Sequence, residues 1–419
     1  MGGNWTTCTV ADVAAKTRNA IVGGPFGSDL VSRDYVEVGV PVIRGTNMGD
    51  RWVGGEFAFV SPAKSESLAA NHAEPGDIVF TQRGTLGQVA LVPAGPYPRY
   101  LISQSQMKLT VDPEKASPLF LYYVFRSVEQ QEYIRKNAIQ TGVPHTNLGL
   151  LRATPLELPL LSEQVAIARI LGALDDKIEL NGKMNATLEA MARALFKWWF
   201  QEHLEAGGMD EKLVSDLAAV GVLQVGDGYR AKNDEMASEG LPFARAGNID
   251  NGFDFSGADL LGSPGVAKAG DKVSRACDVV FTSKGTVGRF AFVDPAMRAF
   301  VYSPQLCFWR STNHEALNPF VLRQWMGSRW FLDQVDRVKG QTDMAEYVSL
   351  RDQRAMRFPL ATPGSQAAIG TQLAELQRLV WNNERETHTL AHIRDELLSR
   401  LLSGELPVDG AERAVEDVA

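Results

Sequence analysis

Residues 76–92 read GDIVFTQRGTLGQVALV, and residues 277–293 read CDVVFTSKGTVGRFAFV. The two stretches align without a gap, so Phe80 matches Phe281 at an offset of 201 residues (281 − 80). The same offset pairs Arg44, Asn47 and Pro118 with Arg245, Asn248 and Pro319, in that order along the chain. The sequence is therefore one unit that has been duplicated. Two such long units exclude a solenoid, whose repeats are far shorter and number at least three.

Each unit contains one long helical segment with a core-type residue at every seventh position. The same five residue types occur in the same order in both segments: Ile167, Leu174, Asn181, Leu188 and Leu195, and then Ile369, Leu376, Asn383, Leu390 and Leu397. This period is typical of the a positions of a coiled coil. In the first helix, the adjoining apolar stripe is expected to contain Ile170, Leu171, Ile178, Met184, Met191, Trp198 and Trp199. Ser162 and Ser365 are expected to cap the amino ends.

A single Asn lies at the centre of each heptad series. If the two helices pack antiparallel about a pseudo-two-fold axis, Asn181 faces Asn383. A polar residue at an a position lowers stability but fixes the register of the helices. We therefore predict that Asn181 and Asn383 set the register of an intramolecular antiparallel pair. The alternative is two helices that face solvent or a partner and that each tolerate one Asn.

The rest of the sequence forms two β-rich parts with two-residue periodicity and many turn residues. The predicted fold class is α+β, with two tandem β-rich domains joined by two long antiparallel coiled-coil helices and related by an internal pseudo-two-fold repeat. The predicted boundaries are 1–161 for domain 1, 162–209 for a central long helix, 210–361 for domain 2, 362–406 for a C-terminal long helix and 407–419 for a flexible tail. Short helices rich in aromatic residues are expected at 117–137 and 316–336.

The composition is that of an ordinary globular protein, with 45% hydrophobic and 22% charged residues. No apolar run has transmembrane length, and the amino terminus lacks the pattern of a signal peptide. Cys8, Cys277 and Cys307 have no counterparts in the other unit and no metal-ligand spacing. A reducing, cytoplasmic location is therefore expected.

The net charge of −8 argues against a nucleic-acid-binding protein if it is spread evenly along the chain. The acidic excess lies mostly outside the β-rich parts, however. Residues 1–161 hold 14 Lys+Arg and 14 Asp+Glu, residues 210–361 hold 18 and 19, and the remainder holds 10 and 17. Each β-rich part can therefore carry a basic face.

The sequence contains no recognisable catalytic motif. It has no GxxxxGK[ST] phosphate loop, no GxGxxG dinucleotide motif and no carboxylate pair that recurs in both units. His145 has no histidine at the matching place in the second unit. We expect no catalytic residue, no metal and no cofactor, which disfavours a methyltransferase or nuclease that acts alone.

Polar and basic residues in Gly-rich turns do recur in both units. The candidate DNA-binding residues are Arg44, Asn47, Gln82, Arg83 and Thr85 in the first unit, and Arg245, Asn248, Ser283, Lys284 and Thr286 in the second. Arg can pair with guanine and Asn with adenine, whereas Lys, Thr and the amides of Gly suit phosphates. For any one residue the alternative is a solvated turn, but the two sets together predict contact with nucleic acid. The alternative function is a non-catalytic protein–protein adaptor with two β-rich binding modules.

Several segments together resemble the specificity (S) subunit of Type I restriction-modification enzymes. They are GDIVFTQRGTLG at 76–87, ELPLLSEQVAIARILGALDDKIELN at 157–181, ALFKWWF at 194–200 and LSRLLSGEL at 398–406. The segment RFPLATPGSQAAIG at 357–370 departs from its counterpart at 156–168, so contacts made there in other members are expected to be weaker in this chain.

The resemblance implies that the β-rich domains are target recognition domains, each of which reads one half of a bipartite, asymmetric site in double-stranded DNA. It also implies a subunit without catalysis of its own, in a system that defends against foreign DNA. Two modification subunits, which bind S-adenosylmethionine and methylate adenine, would assemble around it with two ATP-dependent restriction subunits.

Overall fold

The computed structural model describes residues 5–49, 51–139, 144–249, 252–340 and 346–411. The chain forms two compact units. Unit 1 comprises 1–180 and 386–419, and unit 2 comprises 181–385. Each unit contains one β-rich domain and one part of each long helix, and the two helices are antiparallel within each unit, as predicted. The predicted α+β fold class with its internal repeat is confirmed.

Domain 1, in unit 1, has eleven strands and five short helices before the first long helix. The strands are β1 (Thr6–Thr9), β2 (Ile21–Gly23), β3 (Tyr35–Val36), β4 (Val40–Ile43), β5 (Ala58–Val60), β6 (His72–Ala73), β7 (Ile78–Thr81), β8 (Val89–Leu91), β9 (Tyr100–Ile102), β10 (Gln106–Leu109) and β11 (Pro155–Leu158) among the described residues. The helices are α1 (Val10–Val13), α2 (Pro62–Ser67), α3 (Pro118–Arg126), α4 (Val128–Asn137) and α5 (Leu148–Ala153), followed by the long helix α6 (Leu161–Glu205).

Domain 2, in unit 2, repeats this order of elements, except that the place of β6 is taken by the isolated bridge Val273–Val301. Its strands are β12 (Met209–Leu213), β13 (Leu223–Asp227), β14 (Met236–Ala237), β15 (Leu241–Ala244), β16 (Leu260–Leu261), β17 (Val279–Thr282), β18 (Phe290–Phe292), β19 (Val301–Tyr302), β20 (Leu306–Ser311) and β21 (Arg357–Ala361). Its helices are α7 (Val214–Ala219), α8 (Ser263–Ala269), α9 (Pro319–Met326), α10 (Arg329–Val338) and α11 (Leu350–Arg354), followed by the long helix α12 (Pro363–Leu402). No helix in the described part of the chain is long and apolar enough to span a membrane.

The sheets of the two domains have matching strand orders. A four-stranded sheet is ordered β2-β10-β7-β8 in domain 1 and β13-β20-β17-β18 in domain 2. A second sheet is ordered β3-β5-β4-β9-β6 in domain 1 and β14-β16-β15-β19 in domain 2, with one parallel pair in each, β4–β9 and β15–β19. The short strand pairs β1–β11 and β12–β21 close the domains. The duplicated sequence is therefore a duplicated topology.

The repeated Asp of the opening motif is a buried structural residue in both domains. Asp77 accepts hydrogen bonds from Lys108 Nζ at 2.8 Å and from the Glu74 amide at 2.9 Å. Asp278 accepts from Arg310 Nε at 2.6 Å and from the Tyr302 hydroxyl at 2.7 Å. A buried carboxylate is tolerated only when it is paired and hydrogen-bonded in this way.

A buried glutamine ties the start of each long helix to its own domain. Gln164 Nε2 donates to the Pro159 carbonyl at 3.0 Å, and Gln164 Oε1 accepts from the Ser117 amide at 3.0 Å. Gln366 repeats both contacts, with the Ala361 carbonyl at 2.8 Å and the Asn318 amide at 3.0 Å. These bonds satisfy backbone groups that the helix ends and turns leave unpaired.

The expected caps of the long helices are wrong. Helix α6 begins at Leu161 and α12 at Pro363, so Ser162 and Ser365 lie inside the first turn. The cap position of α12 is Thr362, whose hydroxyl accepts from the Ser365 amide at 3.4 Å. Ser365 instead accepts a hydrogen bond from Trp199 Nε1 at 3.1 Å, which joins the two helices within unit 2.

Each of the two predicted aromatic helices is broken into two. The segment 117–137 forms α3 and α4, which meet at Ser127, and the segment 316–336 lies in α9 and α10, which meet at Gly327 and Ser328. Ser127 has an extended backbone, and its hydroxyl accepts from the Gln130 amide and so caps α4. A serine favours such a break because it competes for backbone hydrogen bonds at helix ends.

The heptad positions of the long helices face inward, whereas part of the adjoining stripe does not. Ile167, Leu174, Ile369 and Leu397 are buried, and the other apolar a residues are partly buried. Met184, Met191 and Trp198, predicted to adjoin this core, are 43%, 52% and 62% exposed. Their seven-residue spacing makes an exposed apolar stripe along the unit 2 part of α6, which we call the Met–Trp stripe.

The described part of the predicted flexible tail is packed against unit 1. Ala411 is fully buried in the core of that unit, and Leu406 and Val408 pack beside it. Residues 412–419 lie outside the described residues.

Candidate nucleic-acid interface

The Gly-rich turn recurs in both domains because its backbone conformation requires glycine. The turn connects β7 to β8 in domain 1 and β17 to β18 in domain 2. Gly84 and Gly87 have φ values of +101° and +88°, and the matching Gly285 and Gly288 have +87° and +104°. Residues with a side chain rarely adopt these values. The two glycines therefore give both domains the same turn.

The turn presents one basic residue and one threonine to solvent in each domain. Arg83 and Thr85 are exposed in domain 1, as are Lys284 and Thr286 in domain 2. A neighbouring segment pairs with the turn, because Arg83 forms a backbone bridge with His145 and Lys284 forms one with Tyr347. The tip of the turn is thus held by main-chain contacts while its side chains remain available.

Gln82 and Ser283 occupy the same position in the turn but differ in accessibility. Gln82 is partly exposed. Ser283 is 1% exposed, and its hydroxyl accepts a hydrogen bond from the Cys307 thiol at 3.1 Å. Burial raises the pKa of the Cys307 thiol, which keeps it protonated as the donor. Ser283 is therefore a packing residue, and the expectation that it lies on the binding surface does not fit its burial.

Asn47 and Asn248, the two candidate adenine readers, are occupied by their own turns. Each ends a short 3-10 turn and accepts a hydrogen bond from the backbone amide of the preceding Arg, Arg44 at 3.0 Å and Arg245 at 2.8 Å. Asn47 Nδ2 also donates to the carbonyls of Gly54 and Glu56, both at 2.9 Å, and Asn248 Nδ2 donates to the Asp254 carbonyl at 2.9 Å. Their recurrence is explained by this structural role.

The arginines of the same turns are exposed but differ in their contacts. Arg44 is exposed at the start of its turn in domain 1. Arg245 forms an ion pair with Asp259 at 2.6 Å, with both side chains 52% exposed, and its guanidinium lies 5.7 Å from the centre of the Phe243 ring. An exposed pair of this kind contributes little to stability, so Arg245 can exchange Asp259 for a phosphate or a base.

Two residues that the sequence analysis does not single out bring the two turns together. Gln88 Nε2 donates to the Gly45 carbonyl at 3.5 Å in domain 1, and Arg289 Nη1 donates to the Ile249 carbonyl at 3.4 Å in domain 2. They are equivalent, at the offset of 201 residues (289 − 88). The two turns of each domain are therefore adjacent, and we call their exposed candidate residues the turn surface. It comprises Arg44, Gln82, Arg83 and Thr85 in domain 1, and Arg245, Lys284 and Thr286 in domain 2.

The register residues Asn181 and Asn383 are brought together within unit 2. Asn181 is fully buried, and its Nδ2 donates to the backbone carbonyl of Asn383 at 3.5 Å. The side chain of Asn383 donates instead to Asn185 Oδ1 at 2.8 Å, and Asn185 Nδ2 donates to the Val380 carbonyl at 3.4 Å. The sequence does not point to Asn185, because it lies one helical turn after Asn181 and is not one of the residues at every seventh position.

The chain is similar in sequence to known proteins. Residues 4–190 match the family described as Type I restriction modification DNA specificity domain. The chain is 24% identical to the Type I restriction enzyme MjaIX specificity subunit of Methanocaldococcus jannaschii, over 80% of this chain and 78% of the relative. It is 22% identical to the putative type I restriction enzyme MjaX specificity subunit of the same organism, over 97% and 94%.

A solved structure has the same fold over nearly the whole length. The S subunit of a Type I restriction-modification system from M. genitalium superimposes with a TM-score of 0.59 and 19% sequence identity, over 95% of this chain and 96% of that one. The duplicated topology, the paired long helices and the matched sequence family agree. The chain matches the Type I restriction modification DNA specificity domain over residues 4–190 and resembles Type I restriction enzyme specificity subunits over most of its length.

Proposed function

We propose that each domain reads one half of a bipartite, asymmetric DNA site through its turn surface. The similarity to the Type I restriction modification DNA specificity domain supports a DNA-recognition role, and the proposal concerns the residues and the mechanism. The proposed contact residues are Arg44, Gln82, Arg83 and Thr85 in domain 1, and Arg245, Lys284 and Thr286 in domain 2. Asn47, Asn248 and Ser283 are assigned structural roles. The observation that carries the proposal is the pairing of two exposed basic turns by Gln88 and by Arg289.

The two domains would read different half-sites because their turn surfaces carry different chemistry. Arg83 can form two parallel hydrogen bonds with guanine or a phosphate, whereas Lys284 offers a point charge. Gln82 can bond to a base edge through its amide, and domain 2 has the buried Ser283 at that place. Tyr347, 46% exposed beside Lys284, adds an apolar contact that His145 does not match.

We propose that the two long helices act as the spacer between half-sites. Both helices run without a break from one unit into the other. A helix rises about 1.5 Å per residue, so its length sets how many unspecified bases lie between the half-sites. In this proposal the polar contacts of Asn181 and Asn383 fix the register of the pair, and thereby the length of the gap.

We further propose that the subunit is not catalytic and positions other subunits in the cytoplasm. Two modification subunits and two ATP-dependent restriction subunits would assemble with it, and methylation and cleavage would reside in them. The Met–Trp stripe is suited to a partner helix, because Met and Trp are enriched at the cores of protein interfaces. The exposed seven-residue spacing of the stripe matches the pattern by which a helix joins a bundle.

The test is to map methylation in a host that expresses this chain with its modification subunit. The expected result is one bipartite motif with two unlike halves and a gap of fixed length. Exchanging the turn residues 82–85 for their counterparts 283–286 should alter one half only. Methylation without a sequence motif, or a motif that survives deletion of either domain, would contradict the proposal. Salt-insensitive or absent duplex binding would favour a protein–protein adaptor instead.

A further inference from the structure

Unit 2 contains a cavity between domain 2 and the two long helices. It lies where domain 2 packs on the parts of α6 and α12 that belong to the same unit, and it has a volume of about 350 Å³. Its apolar wall is formed by Phe253, Phe290, Phe292 and Leu376. The volume falls within the range of about 300 to 1,000 Å³ that is usual for small-molecule sites.

The internal repeat explains why the cavity is open. In unit 1 the buried Arg51 fills the matching place and bonds to the Gly172 carbonyl at 3.1 Å, to Asp176 and, at 2.9 Å, to Glu179. Arg394 reaches Asp175 there at 2.8 Å. At the offsets of the repeat, 201 residues in the domains and 202 in the helices (369 − 167), Arg51 corresponds to Gly252, and Ala192 corresponds to Arg394. Unit 2 therefore lacks both arginine side chains that occupy this space.

In their absence, unit 2 carries a different arginine, Arg323, at the place of Tyr122 (323 − 201). Arg323 lines the cavity, and its Nε is fully buried without a hydrogen-bond partner. Within the ranges that the structure describes, its guanidinium forms no ion pair. Burial lowers the pKa of the Arg323 guanidinium, which still remains charged at neutral pH. A partly buried cation whose Nε has no hydrogen-bond partner is costly, and an anion relieves that cost.

The carboxylates at the cavity offset only part of its positive charge. Glu189 is half-exposed and pairs with Arg193 at 3.3 Å on the same helix, and its charge also acts on Arg323. Burial, with repulsion from Glu189 and Asp294, raises the pKa of Glu384 to about 7, so this carboxyl carries less than a full negative charge at neutral pH. Arg289 adds a third positive charge to the lining. The polar lining therefore favours an incoming anionic oxygen.

We propose that this cavity binds a small organic anion whose carboxylate or phosphate pairs with Arg323 and whose flat apolar body packs against Phe253 and Phe290. Both rings are partly exposed and border the space. Nucleoside monophosphates and aromatic carboxylates share this chemistry. The bound molecule would link domain 2 to the helix pair of its own unit, as the Arg51 side chain does in unit 1.

Isothermal titration calorimetry of the full chain tests the site, with adenosine monophosphate, benzoate and inorganic phosphate as probes. We expect saturable binding of one molecule per chain for at least one of the two aromatic probes, and weaker binding of inorganic phosphate. Preference between the aromatic probes distinguishes a phosphate ligand from a carboxylate ligand. Absence of binding by all three probes at about 10 mM, which corresponds to less than about 3 kcal/mol, would overturn the proposal.

Variants locate the site within the chain. Arg323→Gln should weaken binding by about tenfold or more, since it removes a charge-assisted hydrogen bond. Arg329→Gln, a change of the same kind at an exposed arginine on the next helix, should leave the affinity unchanged. Gln377 lines the cavity, so Gln377→Trp should fill part of it and also abolish binding. This second variant keeps the test valid even if Arg323→Gln does not fold. Unchanged affinity in both Arg323→Gln and Gln377→Trp would place the ligand elsewhere and refute the assignment.

Discussion

Asn383 donates a hydrogen bond from its side-chain nitrogen to the side-chain oxygen of Asn185, at 2.8 Å. The contact joins the two long helices within unit 2, and Asn181 adds a longer one to the Asn383 carbonyl. The polar centre of the helix pair is thus made of three asparagines rather than two.

Asn185→Ala should lower the free energy of unfolding by about 1 kcal/mol, because it leaves the Asn383 amide without its acceptor. Urea denaturation of the wild type and the variant measures the difference. Lys183→Ala, an exposed change two residues away on the same helix, is the control and should be nearly neutral. Equal stability of all three proteins would mean that the contact is incidental.

Arg83→Ala and Lys284→Ala distinguish contacts with bases from contacts with phosphates on the turn surfaces. A residue that touches phosphate should, when removed, weaken binding to all duplexes and reduce the salt slope by about one unit; one that touches a base should cost about 1 to 3 kcal/mol at one position of one half-site. We expect the uniform pattern for Lys284→Ala and either pattern for Arg83→Ala. The measurement is duplex binding by the assembled methyltransferase with each half-site randomised in turn. If neither variant changes affinity at any salt concentration, these turns do not contact DNA.

Asn47→Ala should act on stability and not on the salt dependence of DNA binding. It removes the partners of the Arg44 amide and of the Gly54 and Glu56 carbonyls, for which we expect a loss of about 1 to 3 kcal/mol. Thr46→Ala, at the exposed neighbour in the same turn, is the control. If Asn47→Ala is as stable as the wild type and its DNA binding depends less steeply on salt concentration, Asn47 contacts DNA.

Glu384 should make unit 2 less stable as the pH rises. Its pKa is about 7 in the folded protein, against 4.5 for an ordinary glutamate, because of burial and then of Glu189 and Asp294, with Arg385 opposing them. The folded state therefore binds more protons than the unfolded state between these values, so the stability present below pH 4.5 is lost as the pH rises through 7. Thermal unfolding from pH 5 to 8 should show this slope reduced in Glu384→Gln. The slope should be unchanged in the control variant Glu375→Gln. Identical slopes in the wild type and both variants would contradict the assignment.

Trp198→Glu should prevent assembly with the modification subunit while the chain itself stays folded. The side chain is 62% exposed in the Met–Trp stripe, so a charge there costs little in the free subunit but would be buried by a partner helix. Lys197→Glu places the same charge at the neighbouring exposed position and should assemble normally. Size-exclusion chromatography of the co-expressed subunits gives the answer. Normal assembly of Trp198→Glu would remove the stripe from the interface.

The sequence predicts the repeat, the helix pair and the turns because all three depend on local periodicity. It does not distinguish why a residue recurs. Asn47 and Asn248 recur because each satisfies the backbone of its own turn, a role that looks the same in sequence as adenine recognition. The helix break at Ser127 is missed for a similar reason, since the aromatic spacing continues across it.

Long-range pairing accounts for the remaining differences between prediction and structure. Gln88 and Arg289 differ in residue type, so neither stands out in an alignment of the repeats, although both join the same two turns. The cavity in unit 2 is related to Gly252, which stands where unit 1 has Arg51. The effect of this difference cannot be predicted until the packing of the helices against this loop is known. Exposure of Trp198 depends on where the neighbouring helix lies, and heptad counting alone does not give it.

The closing strand pairs give each domain its entrance and exit side by side. Thr9 pairs with Pro155 where β1 meets β11, and Leu213 pairs with Arg357 where β12 meets β21. A segment whose two ends meet in one antiparallel ladder can be excised and replaced without altering the path of the chain around it. Each β-rich domain is therefore a cassette: an exchange at the ladder would replace one whole domain in one event, while the two long helices stay the same.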